Sequence, residues 1–319
     1  MENKKTLYIL APCYNEAEVL PLSSKVFRTK LRQLIDDGKV NGDSKIVFVD
    51  DGSKDSTWSI IESLHELDPI FVGVKLSRNR GHQNALLGGM STIVGDCDMI
   101  VTIDADVQDD VNAIDKMVDE YYNGAEIVYG VRDSRETDTF FKRFTAQGFY
   151  KLMNAMGVET IYNHADFRLM SSRAVEALLE FKEVNLFLRG MVPLVGFKTA
   201  QVTYDRAPRM AGESKYPLKK MLTFAFDGIT SFSIKPIRLI TALGGLTFIL
   251  NIIFALYALI SHAAHHTVPG WTSTVLSVWF FGSLQLIAIG VVGEYIGKIY
   301  LETKGRPRFF IEKYLTDKK

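Results

Sequence analysis

The chain has 319 residues with 37 Lys or Arg against 37 Asp or Glu, so its formal net charge is zero. A balanced chain lacks the positive excess that broad nucleic-acid binding requires, so any charge logic is local. Cys13 and Cys97 are isolated, with no CxxC or Cys/His cluster, which argues against a structural zinc site and against a secreted disulfide framework.

The start, "MENKKTLYIL", has too short an apolar run for a signal peptide, and the first part of the chain is expected in the cytoplasm. Strand patterns follow at 6–12, 45–50, 71–76, 98–104 and 125–131. Helical patterns lie between them at Glu16–Asp37, Asp55–Leu67, Gln83–Val94 and Val111–Tyr122. Near-continuous apolar strands separated by helices predict a Rossmann-like, doubly wound, mostly parallel α/β sheet covered on both faces. Ligands of such sheets bind beyond the carboxyl ends of the strands. The polar motifs sit at these ends: "CYNE", "DDGSKDST", "SRNRGHQNA" and "DADVQDD". No G-x-G-x-x-G follows the first strand and no Walker A sequence occurs, which disfavours a dinucleotide dehydrogenase and a P-loop NTPase.

In "DADVQDD", an extended strand would put Asp104 and Asp106 on one face. Two carboxylates that close repel unless a cation lies between them, and Mg²⁺ or Mn²⁺ is the natural partner. Gln108 adds a neutral oxygen at the next same-face position. The plainer reading is an aspartate-rich loop. The two are compatible, with Asp104 and Asp106 as a metal pair and Asp109 or Asp110 starting the helix from Val111. Asp50 and Asp51 end the second strand before a Gly-Ser turn, with Asp55 or Ser56 as helix cap. A doubled carboxylate there suits nucleobase donors or ribose hydroxyls. Tyr14, Asn15 and Glu16 offer an aromatic ring and an amide that can hold a base.

Near the C-terminus the pattern changes. In "YPLKKMLTFAFDGITSFSIK", Leu218, Met221, Leu222, Ala225, Ile229 and Phe232 share one helical face, which predicts an interfacial helix or an ordinary core helix. Leu239–Ile260 carries no charge and is about 33 Å long as a helix; Val275–Gly293 is interrupted only by Gln285. Two membrane spans are expected rather than two buried core helices. Lys219, Lys220, Lys235 and Arg238 precede the first, Lys298, Lys304, Arg306 and Arg308 follow the second, and the loop between has no Lys or Arg. By the positive-inside rule both ends face the cytoplasm. The expected organisation is a cytoplasmic domain over 1–215, an interfacial helix over 216–237, a two-helix transmembrane region over 238–298 and a cytoplasmic tail over 299–319.

The ordered set "APCYNEAEVL", "VDDGSKDST", "RNRGHQNALLGG", "DADVQD", "ADFRLMS" and "RMAGESKY" resembles the family-2 glycosyltransferases of GT-A fold. With two C-terminal spans, the chain is similar to the polyprenyl-phosphate glycosyltransferases. The resemblance implies that Pro12, Tyr14, Asn15, Glu16, Asp50 and Asp51 hold the nucleotide sugar. Asp104, Asp106 and Gln108 would form the metal and diphosphate site. Asp166 would lie at the reacting face of the sugar and share the catalytic role with Asp106, while Arg168 contacts the donor or forms a buried salt bridge. Asp166 is a base, or it orients the sugar or phosphate, or it offsets positive charge at the anomeric carbon. An acceptor lipid phosphate is already anionic and barely needs a base. Arg132, Arg143, Arg206 and Ser214 are implied for the acceptor phosphate, and Arg209 and Lys215 for the donor diphosphate, in a loop that closes over it. Ala146 stands where the family often has Ser, and Asp110 where it often has Pro.

The implied reaction is inverting transfer from a nucleoside-diphosphate sugar, a UDP-hexose for preference, to polyprenyl phosphate. The implied protein is a homotetramer in a bacterial plasma membrane. A processive polysaccharide synthase would need a Q-x-x-R-W motif and a longer membrane channel, and neither is present. A membrane scaffold that only binds nucleotide sugar would not need the complete carboxylate set.

Overall fold

Apolar runs bounded by polar turns become the first strands: β1 (Leu7–Cys13), β2 (Lys45–Asp50), β3 (Phe71–Leu76), β4 (Met99–Thr102) and β5 (Ile127–Arg132). The computed structural model describes residues 4–132, 164–184, 187–205, 235–263 and 270–317. Between the strands lie α1 (Leu20–Asp36), α2 (Thr57–Leu67), α3 (His82–Ile93) and α4 (Ala113–Tyr122). Pro21 opens α1, where a missing N–H costs nothing, and Leu20, Phe27, Leu31 and Leu34 form its buried face. Phe27, Phe48 and Phe71 stack in series, tying α1 to β2 and β3.

Further strands complete the sheet. They are β6 (His164–Ser171), β7 (Thr199–Tyr204) and β8 (Ile311–Leu315), with the short helices α5 (Ser172–Leu179) and α6 (Leu188–Leu194) between β6 and β7. The order is β7-β5-β6-β4-β1-β2-β3-β8. Only β6 and β8 run against the others. The doubly wound pattern is thus present in a mixed sheet. The period-2 signal of β6 is partly hidden. Phe167 and Leu169 enter the main core, but charged Arg168 lies between them, at a position that would ordinarily be read as solvent-facing.

The expected C-terminal tail supplies β8, which pairs antiparallel with β3. Lys75–Glu312 at 2.9 Å and Lys313–Glu62 at 2.7 Å flank the pairing. An otherwise open sheet edge is covered in this way.

The chain divides into two compact units, and residues 306–319 belong to the α/β unit. The second contains two long helices, α7 (Lys235–Ala263) and α8 (Trp271–Thr303), which include the two apolar stretches singled out in the sequence. Within α8, Phe280–Thr303 is long and apolar enough to cross a membrane by length and composition, with mean hydropathy 1.5. The interfacial helix expected over 216–237 lies outside the described residues up to 234, and residues 235–237 begin α7. Arg143, Ala146, Arg206, Arg209, Ser214 and Lys215 also lie outside them.

Candidate active site

The loops after β1 and β2 are laced together at the carboxyl end of the sheet. Asn15 sits in the left-handed region at φ 54°, a conformation asparagine tolerates. Its N–H donates to Ser53 Oγ at 2.9 Å, and its side-chain oxygen accepts from Lys54 N at 2.8 Å. Glu16 N donates to Thr57 Oγ1 at 2.9 Å. Pro12 is buried in β1, whereas Tyr14 is 41% exposed, so its ring is available to a flat ligand. Ser56 stands at the N-cap position of α2 without a side-chain cap bond, and Asp55 before it accepts from Thr57 N at 3.0 Å.

The two aspartates of "VDDG" are buried and do different work. Asp51 accepts from the backbone N–H groups of Arg80 at 2.6 Å and Gly81 at 2.8 Å, fixing the loop that leads into α3. That loop crosses so close that a Cβ on Gly52 (φ 65°) would meet the Arg78 carbonyl carbon at 2.5 Å. Asp50 accepts from Ser53 N at 3.1 Å, while its Oδ2 is buried without a hydrogen-bond partner. Burial pushes both carboxyls up. Asp51 therefore builds the wall, and Asp50 keeps an acceptor at the same strand end.

Asp104 and Asp106 do not lie on an extended strand, as the sequence suggested. β4 ends at Thr102, a loop with its turn at 105–106 carries both carboxylates, and Val107 directly after it adopts φ 55°. That value is an outlier for a β-branched residue, and such strain persists where surrounding structure over-determines it. Gln108 N donates to Asp106 Oδ1 at 3.2 Å, and the Gln108 side chain is buried. Burial, with the neighbouring Asp166, Asp109 and Asp106 carboxylates, pushes Asp104 up to about 6, against the pull of His82. Crowded carboxylates of this kind fit a hard divalent ion. Among the described residues no three His, Cys, Asp or Glu side chains are arranged to hold a metal ion by themselves, so substrate oxygens and water would complete the shell.

The remaining pair of aspartates divides as well. Asp110 Oδ1 accepts from Asn112 N at 2.9 Å, at the start of α4. Asp109 does not start the helix. It is buried and accepts from Tyr204 Oη at 2.7 Å, with Arg132 Nη2 at 3.7 Å. Arg132 Nε also donates to Tyr204 Oη at 3.3 Å. A buried tyrosine and carboxylate thus hold a partly exposed arginine at the end of β5.

β6 brings Asp166 beside this turn, since it pairs with β4 from Met99 to Thr102. Arg168 Nη2 donates to Asp166 Oδ1 at 2.8 Å, and Arg189 donates through Nε at 3.3 Å and Nη2 at 3.2 Å. His82 Nε2 lies 3.6 Å from Asp166 Oδ2 and 3.7 Å from Asp104 Oδ1. Burial works against a charged Asp166, but His82, Arg189 and Arg168 outweigh it and hold the carboxyl well below the usual range. Arg168 itself is buried, its guanidinium facing Asp166 inside the sheet. It forms the buried salt bridge rather than a surface for the donor.

His82 and Arg189 carry no role in the sequence reading. His82 lies inside the motif "RNRGHQNALLGG", directly after Gly81 at φ 86°, and position within that motif was its only signal. Arg189 lies in "FLRGMVP", which has no spacing pattern to single it out.

The model of Glycosyl transferase family 2 matches residues 8–179, which span β1 through α5. An uncharacterized glycosyltransferase, YkoT, of Bacillus subtilis (strain 168) is 51% identical over 311 residues, covering 98% of this chain and 92% of its own. The bactoprenol glucosyl transferase of Shigella phage SfX is 39% identical over 308 residues, covering 95% of this chain and 98% of its own. Among solved structures, mannosyltransferase PcManGT from Pyrobaculum calidifontis aligns with a TM-score of 0.44 at 16% identity, over 92% of this chain and 88% of that one. The polar motifs after β1, β2, β3 and β4 sit at the strand ends where the sequence anticipated them, the family model covers more than half of the chain, and its relatives match nearly end to end: the chain belongs to glycosyl transferase family 2.

Proposed function

We propose that the protein transfers a hexose, from UDP-hexose for preference, to polyprenyl phosphate with inversion, at the cytoplasmic face of a bacterial plasma membrane. The observation that carries the reading is the meeting of two carboxylate groups. The Asp104–Asp106 turn and the arginine-held Asp166 share His82 between them. The relative named bactoprenol glucosyl transferase supports the lipid acceptor.

In this reading Tyr14, Glu16 and Asp50 face the nucleotide, and Asp51 and Asn15 shape the loops around it. Asp104 and Asp106 hold Mg²⁺ or Mn²⁺ and the donor diphosphate, with Gln108 beneath the turn. A divalent ion there supplies neutralisation of the charge that the leaving diphosphate gains. The lipid phosphate attacks the anomeric carbon opposite the leaving group, and a single displacement inverts it. Arg132, braced by Asp109 and Tyr204, suits the acceptor phosphate. Arg143, Arg206 and Ser214 are assigned to the same phosphate, and Arg209 and Lys215 to the diphosphate.

α7 and α8 form the membrane part. The Lys and Arg residues that flank the two apolar stretches, with none in the loop between, support helix ends on the cytoplasmic side. A tetramer is part of the proposal through the family resemblance.

The test uses full-length protein, polyprenyl phosphate and radiolabelled nucleotide sugars. Label is expected in an organic-extractable, acid-labile lipid. Metal-dependent nucleotide binding with no lipid product from any common donor would overturn the reading. A thermal-shift screen of UDP- and GDP-sugars identifies the donor.

A further inference from the structure

A carboxylate offers about four lone-pair sites. Those of Asp166 are faced by two guanidinium groups and an imidazole. Oδ1 accepts from Arg168 Nη2 and from Arg189 Nε, while Oδ2 accepts from Arg189 Nη2 and faces His82 Nε2. These partners come from β6, α6 and the start of α3. Arg189 grips with two nitrogens, the fork geometry that fixes a carboxylate plane as well as its charge.

The grip is itself braced. Gln83 Oε1 accepts from Leu188 N at 2.8 Å, so the residue after His82 holds the residue before Arg189. Thr102 Oγ1 donates to the Asp166 carbonyl at 2.5 Å, locking the backbone below. Side-chain exposure rises from 3% at Arg168 through 19% at Asp166 to 35% at Arg189. Arg168 is thus the buried anchor, and Arg189 closes the cluster from the solvent side.

We propose that Arg189 is a positioning residue for the transfer reaction: it fixes Asp166 as a permanently ionised group that orients the sugar and does not accept a proton. The proposal rests on the transfer reaction set out above. A proton on Asp166 would have to displace one of these charge-assisted bonds. The acceptor has no need of it, because a phosphate monoester is already an anionic nucleophile at neutral pH. A fixed carboxylate beside the anomeric carbon offsets the positive charge that builds there as the diphosphate leaves. The depressed pKa of Asp166 agrees with this role.

The experiment compares wild type, Arg189→Met, Arg189→Lys, Asp166→Asn and the Arg189→Met/Asp166→Asn double variant, as full chains in lipid nanodiscs. Substrates are polyprenyl phosphate and the nucleotide sugar that wild type turns over. Arg189→Met is expected to lower kcat on the order of 10²-fold, the cost of misplacing one group at a reacting centre. KM for both substrates should stay within about threefold. Arg189→Lys, with one donor point in place of a fork, should fall between it and wild type. The double variant should be no worse than Asp166→Asn within about threefold, because the two residues act as one unit.

Undiminished kcat in Arg189→Met would overturn the proposal. So would a raised acceptor KM at unchanged kcat, which would make Arg189 a direct phosphate ligand, or losses that multiply in the double variant. If Arg189→Met does not fold, Arg189→Lys and its double with Asp166→Asn decide by the same criteria. Absence of transfer by wild type would overturn the function proposed above and this inference with it. Failure confined to the Arg189 variants would leave that function standing.

Discussion

Two carboxylate groups at the same end of one sheet are neutralised in different ways. Asp51, after β2, is satisfied by the backbone N–H groups of Arg80 and Gly81. Asp166, on β6, is satisfied by the side chains of Arg168 and Arg189, with His82 close by. Backbone amides are fixed once the loop is formed, so the first arrangement sets a shape. Side-chain cations are set by tertiary packing and can be retuned one at a time, so the second sets a charge at a chosen point. Asp104, beside His82, lies among neighbouring carboxylates, and in the function proposed above a divalent cation answers this third concentration of charge.

The comparison is broken most severely at the Asp104–Asp106 turn. Asp106→Ala should lower lipid-linked transfer on the order of 10³-fold while leaving thermal stability near that of wild type. Unaltered turnover would remove this turn from the chemistry. Asp51→Ala should do the reverse in kind: it removes the acceptor of two part-buried N–H groups and costs about 1–2 kcal/mol in denaturant unfolding. Nucleotide affinity should fall with it, because the loop into α3 loses its anchor. A stable Asp51→Ala protein that has lost only nucleotide affinity would mean that Asp51 contacts ligand directly.

A smaller effect follows from Asp104. Its folded pKa, about 6, lies above the ordinary carboxylate value, so its ionisation opposes folding of the metal-free protein. The penalty is absent well below the ordinary value of 3.8, grows as pH rises to about 6 and is constant above. Asp104→Asn should therefore stabilise metal-free protein at pH 7.5 by on the order of 1 kcal/mol, allowing for screening of a side chain about a third exposed. The gain should be mostly lost at pH 4 and gone at pH 3. Asp166 has the opposite sign: its depressed pKa contributes stability above the unfolded value that is lost as pH falls through the folded one. Smallest of all, Lys313→Ala on the β8 edge should cost under about 0.5 kcal/mol, since its pair with Glu62 is solvent-exposed. A larger loss would mark the covered sheet edge as a stability element in its own right.

Much of the candidate site was legible because its residues lie just past strand ends. Apolar runs announce strands, and polar residues directly after them fall at the ligand-binding edge of a parallel sheet. Asp50, Asp51, Asp104 and Asp106 were found this way. Other parts were not, His82 among them. Asp109 looked like part of a helix start, yet it turns inward to Tyr204 on β7, some 95 residues away. Arg168 could be read as a donor contact or as a buried salt bridge, and only its place in a central strand decides for the salt bridge with Asp166. Arg189 had no motif at all, and its role comes only from where α6 sets it down.

The amino-acid sequence by itself determined the alternating strands and helices of the first 132 residues, the polar strand ends and the two apolar C-terminal helices. Those are set by hydrophobic period and by local turn chemistry, which act over a few residues. Only the tertiary structure decided that β6 enters antiparallel between β5 and β4 and that the C-terminal residues close the sheet as β8. Strand order depends on pairing between segments far apart in the chain, and no local period encodes it. That insertion of β6 brings Asp166 to the aspartate turn and lets His82 and Arg189 meet it.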